Sequence, residues 1–181
     1  EKAINFTNLY CSFMKNVVSR HNAGKFHYNI KKKNFGNVFE SDGGALNLYT
    51  VNYVSDKGSV YVHNYASGNG GSIAYERIKI IYHSQCQFIG SKSSGHGGGV
   101  IYSEEVSLFN IGNSIFIQNI GHRCCVYMFI NIRIFTCVRS IFTGNIATRS
   151  SNLCHFVKTD AASTTLTSYT ANVFASNRVL L

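Results

Sequence analysis

GGVIYSEEVSLFNIGNSIFIQN, residues 98–119, holds one complete unit of a repeat. A glycine pair, Gly98-Gly99, precedes the aliphatic pair Val100-Ile101, and the aromatic Phe116 stands 17 residues after Gly99. The same interval of 17 links Gly44 to Tyr61, Gly71 to Phe88 and Cys125 to Phe142. Between Asn152 and Phe174 it grows to 22, which places an insertion of five around 158–164. Elsewhere, length varies only between the aromatic and the next small-residue pair, as expected if loops absorb changes that packed strands cannot.

Inside the constant interval, apolar or small residues recur two apart. Leu46, Ile73, Ile101, Tyr127 and Cys154 stand two residues after the pair; Leu48, Tyr75, Ser103, Phe129 and Phe156 stand four after. Val51, Ile78, Val106 and Ile132 stand seven after, and Tyr53, Ile80, Leu108 and Ile134 nine after. Ser59, Cys86, Ser114 and Ser140 precede the aromatic by two. A period of two is that of a strand with one face buried. Three such short segments per repeat make one coil of a triangular solenoid, with equivalent residues about 4.8 Å apart in neighbouring coils. No 3.6-residue periodicity supports a helical solenoid. The expected fold class is all-β: a right-handed parallel β-helix, a pectin-lyase-like solenoid with 26–28 residues per coil.

The recurring residues read as structural columns. Phe35, Tyr61, Phe88, Phe116, Phe142 and Phe174 are expected to stack as an interior ladder. Three residues after the aromatic stand Asn64, Asn119, Asn145 and Asn177, with Asn16 in the irregular beginning and Ser91 as a departure. An Asn column suits a turn whose side chains bond to the coils above and below. The glycine pair marks a corner needing positive φ or close backbone approach. Phe13 to Phe35 is only 22 residues, and Lys33 falls where other repeats carry Ser or Cys. Residues 1–34 therefore read as an irregular first coil or part of a cap, and 35–181 as regular coils. Ends need polar caps, and Val179-Leu180-Leu181 is not one, so a longer parent chain is expected.

The chain has 181 residues, 17 basic and 8 acidic, for a formal charge of +9. A basic excess can mark nucleic-acid partners, but the bases are scattered apart from Lys31, Lys32 and Lys33, and no nucleic-acid-binding motif accompanies them. Nucleic acid is not an expected partner. No run of 18 apolar residues is present, so no membrane span is expected.

Glycine pairs with an aliphatic pair, as in Gly43-Gly44-Ala45-Leu46 and Gly98-Gly99-Val100-Ile101, alternate with Phe-x-x-Asn at Phe13 to Asn16, Phe116 to Asn119, Phe142 to Asn145 and Phe174 to Asn177. This alternation resembles the repeats of the chlamydial polymorphic outer-membrane protein family, and similar repeats occur in surface proteins of some parasitic protists. The resemblance covers roughly residues 35 to 177. It implies a β-helical passenger region of a surface adhesin. Ser72, Tyr61, Ser91 and Cys124-Cys125 depart from the pattern.

The sequence offers little for catalysis. β-Helix enzymes acting on acidic polysaccharides are similar to one another in clustering carboxylates. Here Glu104 and Glu105 should point to opposite faces, and no acidic pair is expected to share a column on adjacent coils. No catalytic residue is assigned, and the chain is expected not to be an enzyme. His96 and His122 would stack on neighbouring coils, but Arg149 follows them in the column and repels a cation, so no metal and no cofactor are expected. The six cysteines lack a CxxC pair and read as buried thiols. His96, His122 and Arg149 are instead a candidate contact row. The leading expectation is a non-catalytic, adhesin-like β-helix module at the cell surface or outside the cell, touching a protein or glycan. The alternatives are a structural β-helix among neighbouring subunits of an assembly, inside the cell, and a polysaccharide-binding or polysaccharide-cleaving β-helix.

Overall fold

The computed structural model describes residues 5–15, 17–18, 27–28, 42–95, 97–149, 153–157 and 166–180. Every regular element among them is a β-strand, all pairings between strands are parallel, and the strands form three stacked sheets. The chain is a parallel β-helix. The longest sheet carries Asn5–Leu9, Tyr53–Lys57, Ile73–Ser84 and Ile101–Gly112, followed by Tyr127–Ile130 with Ile134–Val138 and by Cys154–Val157 with Leu166–Thr170. A six-stranded sheet stacks Ser12–Met14, Val60–Val62, Gln87–Ile89, Ile115–Ile117, Ile141–Thr143 and Val173–Ala175. The third is a sheet of two-residue strands, Val17–Val18 through Tyr65–Ala66, Lys92–Ser93, Ile120–Gly121 and Ile146–Ala147 to Arg178–Val179. No helix among the described residues is long and apolar enough to cross a membrane.

Aromatic rings fill the interior beneath the six-stranded sheet. Tyr61, Phe88, Phe116, Phe142 and Phe174 stack with centroids 4.7 to 5.1 Å apart, the spacing of the strands that carry them. Burying such a ring is worth about 1.5–3 kcal/mol. The rung below Tyr61 is Phe13, at 4.8 Å, and not Phe35. Strand register decides this: Ser12–Met14 pairs with Val60–Val62, and Asn5–Leu9 with Tyr53–Lys57. The beginning of the chain is therefore a regular coil, followed after Val18 by an insertion that includes the strand His27–Tyr28, paired with Asn47 and Leu48, before the coils resume at Leu46–Tyr49. The insertion is close enough to a coil in length that spacing alone selected Phe35, which lies outside the described residues, as does Asn16. The second insertion falls between Val157 and Leu166, where nine steps replace the four from Ile130 to Ile134.

The other columns behave as hydrogen-bonded ladders. Asn119 and Asn145 each donate from Nδ2 to the Oδ1 of the next Asn at 2.9 Å and to a carbonyl of the coil below at 3.0 Å. Two departures from the repeat compensate each other: Ser72 and Ser91 bond through their hydroxyls at 2.6 Å. The glycine pair divides its work. Gly43 and Gly70 have φ of +69° and +63°, whereas a Cβ on Gly44 or Gly71 would lie 2.2 Å from a carbonyl oxygen of the next coil.

One expectation about facing is corrected. Tyr53, Ile80 and Leu108 are half-exposed and Ile134 is exposed; the buried column is one residue later, at Val54, Ile81, Phe109 and Phe135. The break comes just past a corner at which Thr50, Arg77, Glu105 and Asn131 take φ of +54 to +56°, because Val51, Ile78, Val106 and Ile132 still face inward as expected. After it, Lys79 and Ile80 both lie outside before alternation resumes, so every later residue of the leg changes face.

Candidate functional site

That change of face places the most reactive group of side chains in the interior. Asn8, Asp56 and His83 occupy one inward column in three successive coils, because Asn8 pairs with Asp56 and Asp56 with His83. The same column continues as Ile111 and Cys137. Asp56 and His83 both stand 12 residues after the second glycine of their repeat, so the sequence aligned them. A period of two continued from Val51 and Ile78 leaves position 12 outside, so spacing alone does not mark the pair as interior.

The geometry is closely knit. Asp56 Oδ2 lies 3.1 Å from His83 Nδ1 and accepts from the Tyr61 hydroxyl at 2.8 Å; Oδ1 accepts from Asn8 Nδ2 at 3.1 Å. His83 Nε2 is 3.0 Å from the Tyr75 hydroxyl. Cys86, from the Ser59, Ser114 and Ser140 column, places its thiol 3.4 Å from the Asp56 and Ser84 carbonyl oxygens. The side chains of Asp56 and His83 are completely buried. Burial alone pushes the Asp56 carboxyl up, yet hydrogen bonds and charge from His83, with bonds from Ser59 and Tyr61, outweigh it and hold the group below its ordinary value. Burial drives the Cys86 thiol up to about 12 and the Tyr61 and Tyr75 hydroxyls well above theirs.

A second group lies at the corner beside the glycine pairs. Glu76 and Glu104 are direct partners on adjacent coils, contrary to the expectation that no acidic pair shares a column. Both stand five residues after their second glycine, so this signal was present in the sequence. Glu104 accepts from the Tyr102 hydroxyl at 2.7 Å, and Arg77 Nε is 3.0 Å from Glu105 Oε2 and 3.8 Å from Glu76 Oε1. Asp42 is nearly buried and accepts from the Asn69 backbone N–H. Its burial, opposed by the Asn69 bonds and aided by Glu104, raises its carboxyl to about 6.

The anticipated contact row is represented by two of its three residues. Arg149 Nη1 approaches His122 Nε2 at 3.5 Å, and the Thr148 hydroxyl lies 3.4 Å from His122 Nδ1. His96 lies outside the described residues. Arg149 is exposed and His122 half-exposed, beside the two-residue strands Ile120–Gly121 and Ile146–Ala147.

No family model, no curated protein and no solved structure matches the chain. The fold and its columns define it as a parallel β-helix repeat protein.

Proposed function

We propose that the chain is a non-catalytic β-helix module that attaches, adhesin-like, to a protein or glycan at the cell surface or outside the cell. One observation carries this reading: the coils hold large side chains in fixed register on their outer surface. Tyr53, Ile80, Leu108 and Ile134 form an outward column, and the exposed Tyr82 ring lies 5.8 Å from Tyr53. Aromatic and aliphatic groups on a rigid strand surface lose little conformational freedom on binding. The His122–Arg149 row adds donors and positive charge. The reactive Asp56, His83 and Cys86 are buried away from any large substrate, and the alternation of glycine-pair and Phe-x-x-Asn motifs agrees with the adhesin resemblance.

The test is binding of the intact chain to cells and to a glycan array beside a melting curve. Replacing Tyr53 and Tyr82 with Ser should weaken attachment at least tenfold and leave the thermal midpoint within a few degrees. Replacing His96, His122 and Arg149 with Ala should weaken it less, because a repeat surface distributes its contacts. Unchanged attachment in both variants overturns the reading. A structural role within an assembly is the second reading, favoured by the outward aliphatic residues Ile115, Ile141 and Val173, which stack on successive coils after Gln87. A polysaccharide-cleaving role is favoured by the paired Glu76 and Glu104, and Glu104→Gln would abolish it.

A further inference from the structure

We propose that Asp56, His83 and Cys86 are the protein ligands of a buried site for a borderline-soft divalent metal ion of the zinc class. Their ligand atoms, one oxygen, one nitrogen and one sulfur, all lie within 4.8 Å of one another. A tetrahedral zinc ion, about 2.0–2.3 Å from each ligand, needs ligand atoms roughly 3.5 Å apart. The Asp56–His83 edge is already 3.1 Å, so only the Cys86 side must close, by roughly an ångström.

Three further observations favour a metal. The surroundings hold each ligand as an outer shell holds a metal site: Tyr75 fixes His83 through Nε2, which leaves Nδ1 turned to Asp56, while Asn8 fixes the other carboxylate oxygen. Cys86 breaks a serine column on the coil that carries His83, next to the coil of Asp56; one coil later the equivalent residues are Ser114 and Ile111. Charge also balances. A buried carboxylate is costly without a counter-charge, and a dication with one carboxylate and one thiolate is neutral overall.

The binding step is simple in its protons. The metal takes the Cys86 sulfur as thiolate, and the thiol proton leaves to solvent. His83 coordinates through its Nδ1 lone pair and keeps its ring proton on Nε2, donated to the Tyr75 oxygen. The Tyr61 and Ser59 hydroxyls are the neighbouring oxygens for a fourth position. Because Asp56 and His83 come from adjacent coils, the ion would join those coils, and it would enter during folding.

The test uses cobalt(II) alone as the probe. The full chain is unfolded with a chelator and refolded with and without cobalt. The expected result is one bound equivalent, a thiolate-to-cobalt charge-transfer band and a higher thermal midpoint. Cys86→Ser should remove the band, and it should fold because Ser fills the same column in neighbouring coils. Cys137→Ser, a buried thiol two coils along the inward column, should keep the band. Tyr75→Phe should weaken cobalt binding about tenfold as a positioning residue, with the band retained. A missing band in the wild type, or a band that survives Cys86→Ser, overturns the proposal. Should Cys86→Ser not fold, X-ray absorption of the zinc-refolded wild type decides: one sulfur among nitrogen and oxygen neighbours supports the site, and a sulfur-free shell overturns it.

Discussion

The early and late coils have the same backbone register and opposite interiors. In the early coils the column Asn8, Asp56, His83 faces the hydroxyls of Tyr61 and Tyr75, and polar groups satisfy one another in the core. In the late coils the same column becomes Ile111 and Cys137, and Phe109, Phe129 and Phe135 pack ring against ring at 4.8 to 6.1 Å. Ser103, whose side chain is small, lies between Tyr75 and Phe129 in its column, and both of those rings contact Phe109. The backbone ladder is the same in both regions, so it does not dictate what fills the coil. It requires only that the interior be filled: polar groups satisfy one another in the early coils, whereas the Ser103 and Tyr127 hydroxyls, set among the aromatic rings of the later ones, have no hydrogen-bond partner among the described residues.

A charge placed in the late coils should therefore have the largest effect. Phe116 is completely buried between Phe88 and Phe142, at 4.9 Å from each, where an introduced carboxylate would lose its hydration. Phe116→Asp should yield no soluble folded protein, read by circular dichroism and gel filtration. A cooperative melt near the wild-type midpoint would show that the late interior tolerates a charge and would erase the distinction.

The next effect compares one column in the two regions. His83→Leu removes the partner of a buried carboxylate and should cost about 3 kcal/mol or more in urea unfolding. Ile111→Val, in the same column one coil later, removes one methylene and should cost about 1 kcal/mol. Equal costs would mean that the polar column is no more tightly coupled than its apolar continuation.

Two carboxylates extend the comparison to pH, with opposite signs. Asp56 is held below its ordinary value, so its contribution is present at neutral pH and is lost only as pH falls through that lowered range. Asp42 is raised from 3.8 to about 6, so the folded state binds its proton more readily than the unfolded one. Stability from Asp42 is then full below about pH 4 and declines as pH rises through 6, by about 2–3 kcal/mol. Asp42→Asn keeps an acceptor for the Asn69 N–H and removes the titration. The wild-type-minus-variant difference in unfolding free energy should fall by that amount between pH 4 and pH 7. A flat difference would place Asp42 in a more hydrated setting than its corner provides.

How much of this was legible in the sequence follows from the corners. Wherever one residue kept one place in the repeat, counting worked: Tyr61 to Phe174 stack, Asn119 bonds Asn145, and Gly44 and Gly71 meet the neighbouring backbone. Asp56 with His83 and Glu76 with Glu104 share repeat positions as well, the latter against the expectation that no acidic pair shares a column. What counting lacked was the side each column faces. That is set past the left-handed residues Thr50, Arg77, Glu105 and Asn131, by two consecutive residues that both lie outside, as Lys79 and Ile80 do. A period of two continued from Ile78 places Ile80 inside, whereas the buried residue is Ile81, and His83 two residues on is buried with it. The opening coil failed for another reason: an insertion close to one coil in length leaves spacing unable to tell Phe13 from Phe35, while pairing of both flanking strands can.

The smallest effect is a single oxygen, tested in both regions. Tyr61 and Tyr127 are both fully buried in the core. The Tyr61 hydroxyl donates to Asp56 at 2.8 Å and accepts from Asn8. The Tyr127 hydroxyl has no hydrogen-bond partner among the described residues; its ring is surrounded by Phe116, Phe129, Phe135 and Phe142 at 5.2 to 6.0 Å. A buried hydroxyl without a partner costs about 1–3 kcal/mol, and a bond to a charged group contributes about 1.5–3. The same substitution should therefore change sign between the regions. Tyr127→Phe should raise the thermal midpoint by a few degrees, about 1 kcal/mol, and Tyr61→Phe should lower it by at least as much. Calorimetry of the two variants side by side reads this directly, because both lose one oxygen and keep the ring. A loss of stability in both would mean that the Tyr127 hydroxyl has a partner after all, and that the late interior is less dry than its rings make it.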